Sequence, residues 1–211
     1  RCFQVDNVWE SGLPSTTEAS EKLAASIQAE PEVERHRGGE DFDPGDVFEL
    51  GRGARMKVLS VRPEAKDPND ASIVISIELG RSRVLFMGDA TGGERARPEE
   101  DPARGSVEAA LLDHPGDLRA DVLVVGHHGS LTSTRAAFLK AVRPSIAIVS
   151  SGPMPYGKVI LPDEAIVSLL AAHGAEVLRT DVDDAACATS AAKVGEDADG
   201  APGGCNAVSV L

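Results

Sequence analysis

A chain of 211 residues that is 42% hydrophobic but only 3% aromatic has material for one core of moderate size, built from Val, Ile, Leu and Ala rather than rings. Its 34 acidic against 21 basic residues leave a formal charge of −13, which disfavours a surface that holds nucleic acid by neutralising phosphates, though a metal site or an upstream basic segment could still hold one. No apolar run approaches the ~20 residues of a membrane span, "RCFQVDNVWESG" has no signal-peptide pattern, and the missing initiator Met makes this read as a processed chain or a piece of a longer one.

Residues 5–9 (VDNVW) have the pattern of a short strand. In the helix expected next, Ser15 and Glu18 have capping-box spacing, Leu23, Ala24 and Ile27 share a face, and Pro31 is the stop. Residues 30–46 are charged and glycine-rich and are expected to be loop, after which 46–50 (DVFEL) and 54–62 (ARMKVLSVR) read as strands. Turn chemistry in PEAKDPNDAS precedes the alternating strand 72–79 (SIVISIEL), and a turn at 80–82 leads into RVLFM, completing a hairpin that ends at "GDA". An acidic loop with two prolines covers 94–105, and 107–114 reads as a short helix.

From Asp121 the rhythm becomes strand, loop, helix, strand: DVLVV, GHHGSLTS, a helix over 134–142 ended by Pro144, and SIAIVS. A second unit follows, its helix opened by Pro162 and Asp163 and closed by Gly174, then the strand AEVLRT. Ile166, Val167, Leu169 and Leu170 make a core-facing stripe on that helix. An Asp/Gly-rich loop over 181–204 and a last strand over 206–211 complete a single α/β layered domain spanning 1–211, with no internal repeat.

In such folds the side chains that do chemistry gather at the carboxyl ends of strands, where loops converge over a rigid sheet. Asp89 ends RVLFMGD and His127–His128 end DVLVVGHH, each after a glycine that permits a sharp turn. A carboxylate and an imidazole suit Zn²⁺, Mn²⁺ or Fe, and a carboxylate with two oxygens can bridge two ions. A lone strand-end Asp is more often a turn former and a lone His more often structural; the adjacent pair followed by Gly129 and Ser130 shifts the balance toward a site.

The run NDASIVISIELGRSRVLFMGDA, followed by LRADVLVVGHHGSLTSTRAAFLKAVRPSIAIVSSG and PYG, resembles the later half of a metallo-β-lactamase-fold hydrolase, on the branch of the ComEC/Rec2 competence proteins and related secreted or phosphorylcholine-esterase-like enzymes, over roughly residues 47–181. The resemblance implies a layered αββα sandwich, incomplete on its N-terminal side. It also implies hydrolysis of a phosphoester or another ester by a metal-bound hydroxide, with one or two Zn²⁺ ions and with Mn²⁺ or Fe as alternatives. Asp89 matches the metal-bridging aspartate and the histidine pair the late ligand position, with His128 favoured and His127 as neighbour or alternative. Ser130 and Thr132 match loop residues expected to cap the next helix, with Ser130 also a candidate substrate contact, and Asn69 a turn residue before the hairpin.

Two departures accompany the match. The early HxHxDH cluster is absent, and His36, His114 and His173 are isolated, so the chain is expected to begin just after that motif and to bind metal weakly on its own. Lys158 stands where relatives carry a histidine after Tyr-Gly; it is a candidate for contacting an anionic substrate, against the blander reading of a solvated lysine. His173, at a helix end, is expected to complement the helix dipole rather than bind metal.

A non-catalytic module on the same fold is the competing reading, and a metal-free triad of Ser130, His128 and Asp89 a distant third, because Ser130 lacks a nucleophile-elbow context. Cys187 and Cys205 are either thiols or a disulfide, the latter placing the chain outside the cytoplasm, and the acidic tail fits no EF-hand. Substrate, compartment and oligomeric state are left open by the sequence.

Overall fold

The computed structural model describes residues 5–15, 17–30, 32–152, 155 and 157–182. In chain order it contains β1 (Asn7–Glu10), α1 (Glu18–Gln28), β2 (Glu34–Arg37), β3 (Val47–Gly51), β4 (Ala54–Ser60), β5 (Val74–Leu79), β6 (Ser82–Phe86), α2 (Val107–Leu111), β7 (Val122–Val124), α3 (Ala136–Val142), β8 (Ile146–Val149), α4 (Glu164–Ala172) and β9 (Glu176–Arg179). Cys2, Cys187, Cys205 and the expected strand 206–211 lie outside the described residues, as does the expected loop 181–204 apart from its first two residues.

One seven-stranded sheet in the order β3-β4-β5-β6-β7-β8-β9 organises the fold. From β3 to β6 neighbours are antiparallel, because turns such as the two-residue connection between Leu79 and Ser82 can only reverse the chain. From β6 to β9 they are parallel, and each crossing carries one of the helices α2, α3 and α4. Those helices pack Val107, Leu111, Phe138, Leu139, Val142, Ile166 and Leu170 onto Val74, Leu85, Leu123, Ala147 and Val149 of one sheet face. Apart from Phe138, this core is aliphatic, as composition requires.

The opposite face carries a second cluster in which Val58, Val61 and Phe42 are buried against Trp9, Phe48, Ile73 and Ile75. Trp9 meets Phe42 and Phe48 edge-on, with ring centroids at 5.1 and 4.5 Å, and stacks on His36 at 4.2 Å. The few aromatic rings are thus concentrated where β1 and β2 lie, a departure from an all-aliphatic interior. Further along the same face, Val84, Val122 and Ile146 form one cross-strand row and Phe86, Val124 and Ile148 another; all six are half-buried.

The structure corrects three local expectations. Residues 30–46 are not all loop, since Glu34–Arg37 pairs in parallel with Asn7–Glu10, tied by Arg35 to Glu10 at 2.6 Å and by His36 to Asn7 at 2.9 Å. The cap of α1 is Thr17, whose hydroxyl accepts the Ser20 N–H, not Ser15. On that helix Ile27 is buried while Leu23 is exposed.

Candidate functional site

β6 and β7 are parallel neighbours, with Phe86 opposite Val124, so their carboxyl ends emerge side by side and the two loop tips meet. The His127 N–H donates to the Gly88 carbonyl at 2.9 Å and joins them. Gly88 has φ +55°, and the Asp89 N–H donates to the Ser72 hydroxyl at 3.0 Å, which fixes how the carboxylate leaves the backbone.

The turn after β7 places three successive residues in the left-handed region: His127 (φ 46°), His128 (φ 56°) and Gly129 (φ 75°). For the histidines this costs roughly 1–2 kcal/mol apiece. The surrounding loop offsets it with bonds from Ser130 N–H to His127 O (2.9 Å), Ser133 hydroxyl to Gly126 O (2.7 Å) and Asp163 N–H to Gly129 O (3.0 Å). A Cβ on Gly129 would sit 2.7 Å from Pro162 Cβ. Gly129→Ala is therefore expected to destabilise the chain by about 2 kcal/mol and to shift His128, a change readable by thermal melting and by histidine NMR resonances.

His128 Nδ1 lies 2.6 Å from the Ser150 carbonyl at the end of β8. A carbonyl only accepts, so Nδ1 carries a proton, and in the tautomer with its single proton there Nε2 presents a lone pair to Asp89 Oδ1, 3.4 Å away. Two acceptors facing each other need a proton or a cation between them. Ligands at ~2.0–2.1 Å from a tetrahedral ion stand about 3.3 Å apart, so the spacing suits a shared cation better than a direct hydrogen bond. Both side chains are reachable by solvent, with exposures of 38% and 45%.

His127 points elsewhere. Its Nδ1 pairs with the Thr132 hydroxyl at 2.7 Å, and Thr132 donates on to Ser130 Oγ at 3.0 Å. Burial lowers its pKa below the ordinary 6.5 against the opposing pull of Asp89, which keeps the ring neutral at pH 7.

Beneath the histidines, Ser130 is buried and accepts from Arg95 at 3.3 Å, and Arg95 also grips Asp163 at 2.6 Å. The other Asp163 oxygen accepts the Leu131 N–H at 2.8 Å. Asp163 opens α4, yet its side chain makes no cap bond to that helix and serves the histidine loop instead. Ser130 and Thr132 likewise bond within their loop, and α3, whose N-cap is Arg135, has no side-chain cap bond, which corrects the capping role expected for them. Glu108 of α2 fills that place from a distance: its buried carboxylate accepts the N–H groups of Thr134 and Arg135.

Asp89, His127, His128 and Ser130 are thus brought together. Lys158 is exposed, and no hydrogen bond or ion pair links it to them among the described residues. His36 is engaged with Trp9 and Asn7, and His173 Nδ1 donates to the Leu169 carbonyl at the end of α4. Ser72, Arg95, Glu108 and Asp163 were not legible as site residues; Asp163 alone carried a signal, as a helix opener.

The donor chemistry of Asp89 and His128 fits part of a metal coordination sphere. Among the described residues no group of three or more His, Cys, Asp or Glu side chains is placed to hold an ion, and two donors are fewer than the three protein ligands that a tight zinc normally has.

The model of the family described as the metallo-beta-lactamase superfamily matches residues 7–152. ComE operon protein 3 of Bacillus subtilis (strain 168) is 33% identical over 145 residues, covering 67% of this chain and 16% of that protein. Competence protein ComA of Neisseria gonorrhoeae is 38% identical over 120 residues, covering 56% of this chain and 15% of that protein. The chain therefore spans a small part of each relative's length. Among solved structures, CmlA beta-hydroxylase aligns with 79% of this chain and 37% of its own at 16% identity, with a TM-score of 0.46.

Proposed function

The chain belongs to the metallo-β-lactamase superfamily, on the ComEC/Rec2 branch, and from that premise we propose that it supplies part of the metal site of a hydrolase acting on a phosphoester or another ester. The reading rests on one observation above all, the 3.4 Å approach of His128 Nε2 to Asp89 Oδ1 across two loop tips.

Bound there, an ion such as Zn²⁺ would supply Lewis acidity and an activated water at neutral pH. The chain's residues do the rest. Asp89 and His128 hold the ion, the Ser150 carbonyl fixes the tautomer of His128, and Ser72 sets the backbone of Asp89. His127, neutral and half-buried, stands beside them as the alternative to His128 or as an acceptor for a proton from substrate or water. The Arg95–Asp163 brace keeps the loop from relaxing out of its left-handed turn. Ser130 and Lys158 remain candidates for substrate contact, Ser130 from beneath the site and Lys158 from the surface. Small phosphoesters and nucleic acid both fall in the reaction class, the latter in keeping with the competence names of the relatives.

The competing reading, a module that keeps the fold without catalysis, has in its favour that only two donors converge among the described residues. Metal analysis by mass spectrometry on the full-length parent separates the two. The hydrolase reading expects zinc, manganese or iron at one to two equivalents, and His128→Ala is expected to lower it at least about tenfold with circular dichroism unchanged. A metal-free parent, or one whose metal content ignores the substitution, would exclude it.

A further inference from the structure

The other end of the sheet carries a second cluster of charged side chains. Opposite the histidine loop, the turn between β5 and β6 and the segment leading into β7 enclose a groove of about 530 Å³ whose charged lining is Arg81, Arg83, Arg119, Glu78 and Asp121. Of its two acids, Glu78 is ion-paired with both Arg83 and Arg55, and Asp121 Oδ2 accepts the Arg83 backbone N–H at 2.8 Å. Arg83 is pinned further by its bond to the Arg119 carbonyl at 3.1 Å.

Arg81 and Arg119 are exposed, line the same groove and have no ion-pair partner among the described residues. That is unexpected in a chain whose acids outnumber its bases 34 to 21. With Arg81, Arg83 and Arg119 against Glu78 and Asp121, the lining is left with a net positive charge that an anion would complement. The planar guanidinium fork fits the oxygens of a phosphate in pairs, and the groove has the volume of a small-molecule site.

We propose that this groove binds a phosphate-bearing anion, with Arg81 and Arg119 as the gripping forks and the pinned Arg83 as part of its wall. The phosphate can be that of a soluble phosphomonoester or of a lipid headgroup. The site is separate from Asp89 and His128 and does not depend on the hydrolase reading.

The test is titration of the full chain, freed of metal by chelator, with inorganic phosphate, observed through the arginine side-chain NMR signals at constant ionic strength. Arg81 and Arg119 are expected to shift saturably and more than the exposed Arg97 and Arg104. The double variant Arg81→Ala/Arg119→Ala is expected to bind at least about tenfold more weakly with an unchanged melting temperature, because neither side chain supports the fold. Sedimentation with phosphatidylglycerol vesicles identifies the source: retention of the wild type but not the double variant means a headgroup, and phosphate binding without retention means a soluble ligand. Equal shifts at all exposed arginines, or unchanged affinity in the double variant, would overturn the proposal.

Discussion

Asp89→Asn in the full-length protein is expected to lose bound metal by at least about a hundredfold and turnover by about a thousandfold or more, with the fold intact. Asparagine keeps the size of the side chain and leaves the Ser72 hydroxyl on the backbone N–H of residue 89. It changes two things at the carboxyl position. The negative charge is gone, and an amide N–H donor now stands 3.4 Å or less from His128 Nε2, where it captures the lone pair that a cation would use. One substitution would therefore remove one proposed ligand and occupy the other. Asp89→Glu, which keeps the charge but moves it by one methylene, is expected to fall between wild type and Asn. Metal content, turnover on an ester substrate and circular dichroism measured together check this; full turnover in the Asn variant would exclude Asp89 from the chemistry.

Glu108→Ala is expected to cost about 3 kcal/mol, near the upper end for a single substitution. It leaves the N–H groups of Thr134 and Arg135 without an acceptor in a dry place. It also takes away the carboxyl group packed beside the buried Arg135, whose guanidinium holds the Glu94 and Arg97 carbonyls at 2.6 and 3.0 Å.

The same residue gives stability a pH dependence. Burial pushes the Glu108 carboxyl up from 4.5 to about 7, with the two N–H bonds and Arg135 pulling the other way without cancelling it. The folded chain thus holds this proton more tightly than the unfolded one. The stabilisation is complete below pH 4.5, declines as the pH rises toward 7 and is gone above it, a swing of about 3 kcal/mol from this group. Glu108→Gln, which cannot ionise, is expected to flatten that slope. Denaturant midpoints at pH 5, 6, 7 and 8 decide the matter: parallel curves for wild type and Gln variant would mean that Glu108 does not titrate in this range.

Much of this architecture was legible because each signal was local. Alternation in SIVISIEL marks a strand with one wet face, and Gly-Asp and Gly-His-His after apolar runs mark strand ends. That the two ends meet follows from strand order, since successive parallel strands joined by a helix tend to be neighbours. What escaped was decided by partners distant in the chain. Glu34–Arg37 has no apolar residue to betray a strand, and it is one because Glu10, Asn7 and Trp9 supply partners for Arg35 and His36. Glu108 reads as an ordinary acid in the first turn of a short helix; its burial is dictated by the chain at Thr134 folding back onto it. Asp163 matches a helix opener, but its carboxylate is claimed by Leu131 and Arg95.

The half-buried rows Val84–Val122–Ile146 and Phe86–Val124–Ile148 have a practical consequence. Partly open hydrocarbon in regular ranks on a sheet face is what detergents, fluorescent dyes and neighbouring polypeptides adhere to. An apolar dye titrated onto the chain is therefore expected to report this side of β6, β7 and β8, away from the loop tips that hold Asp89 and His128.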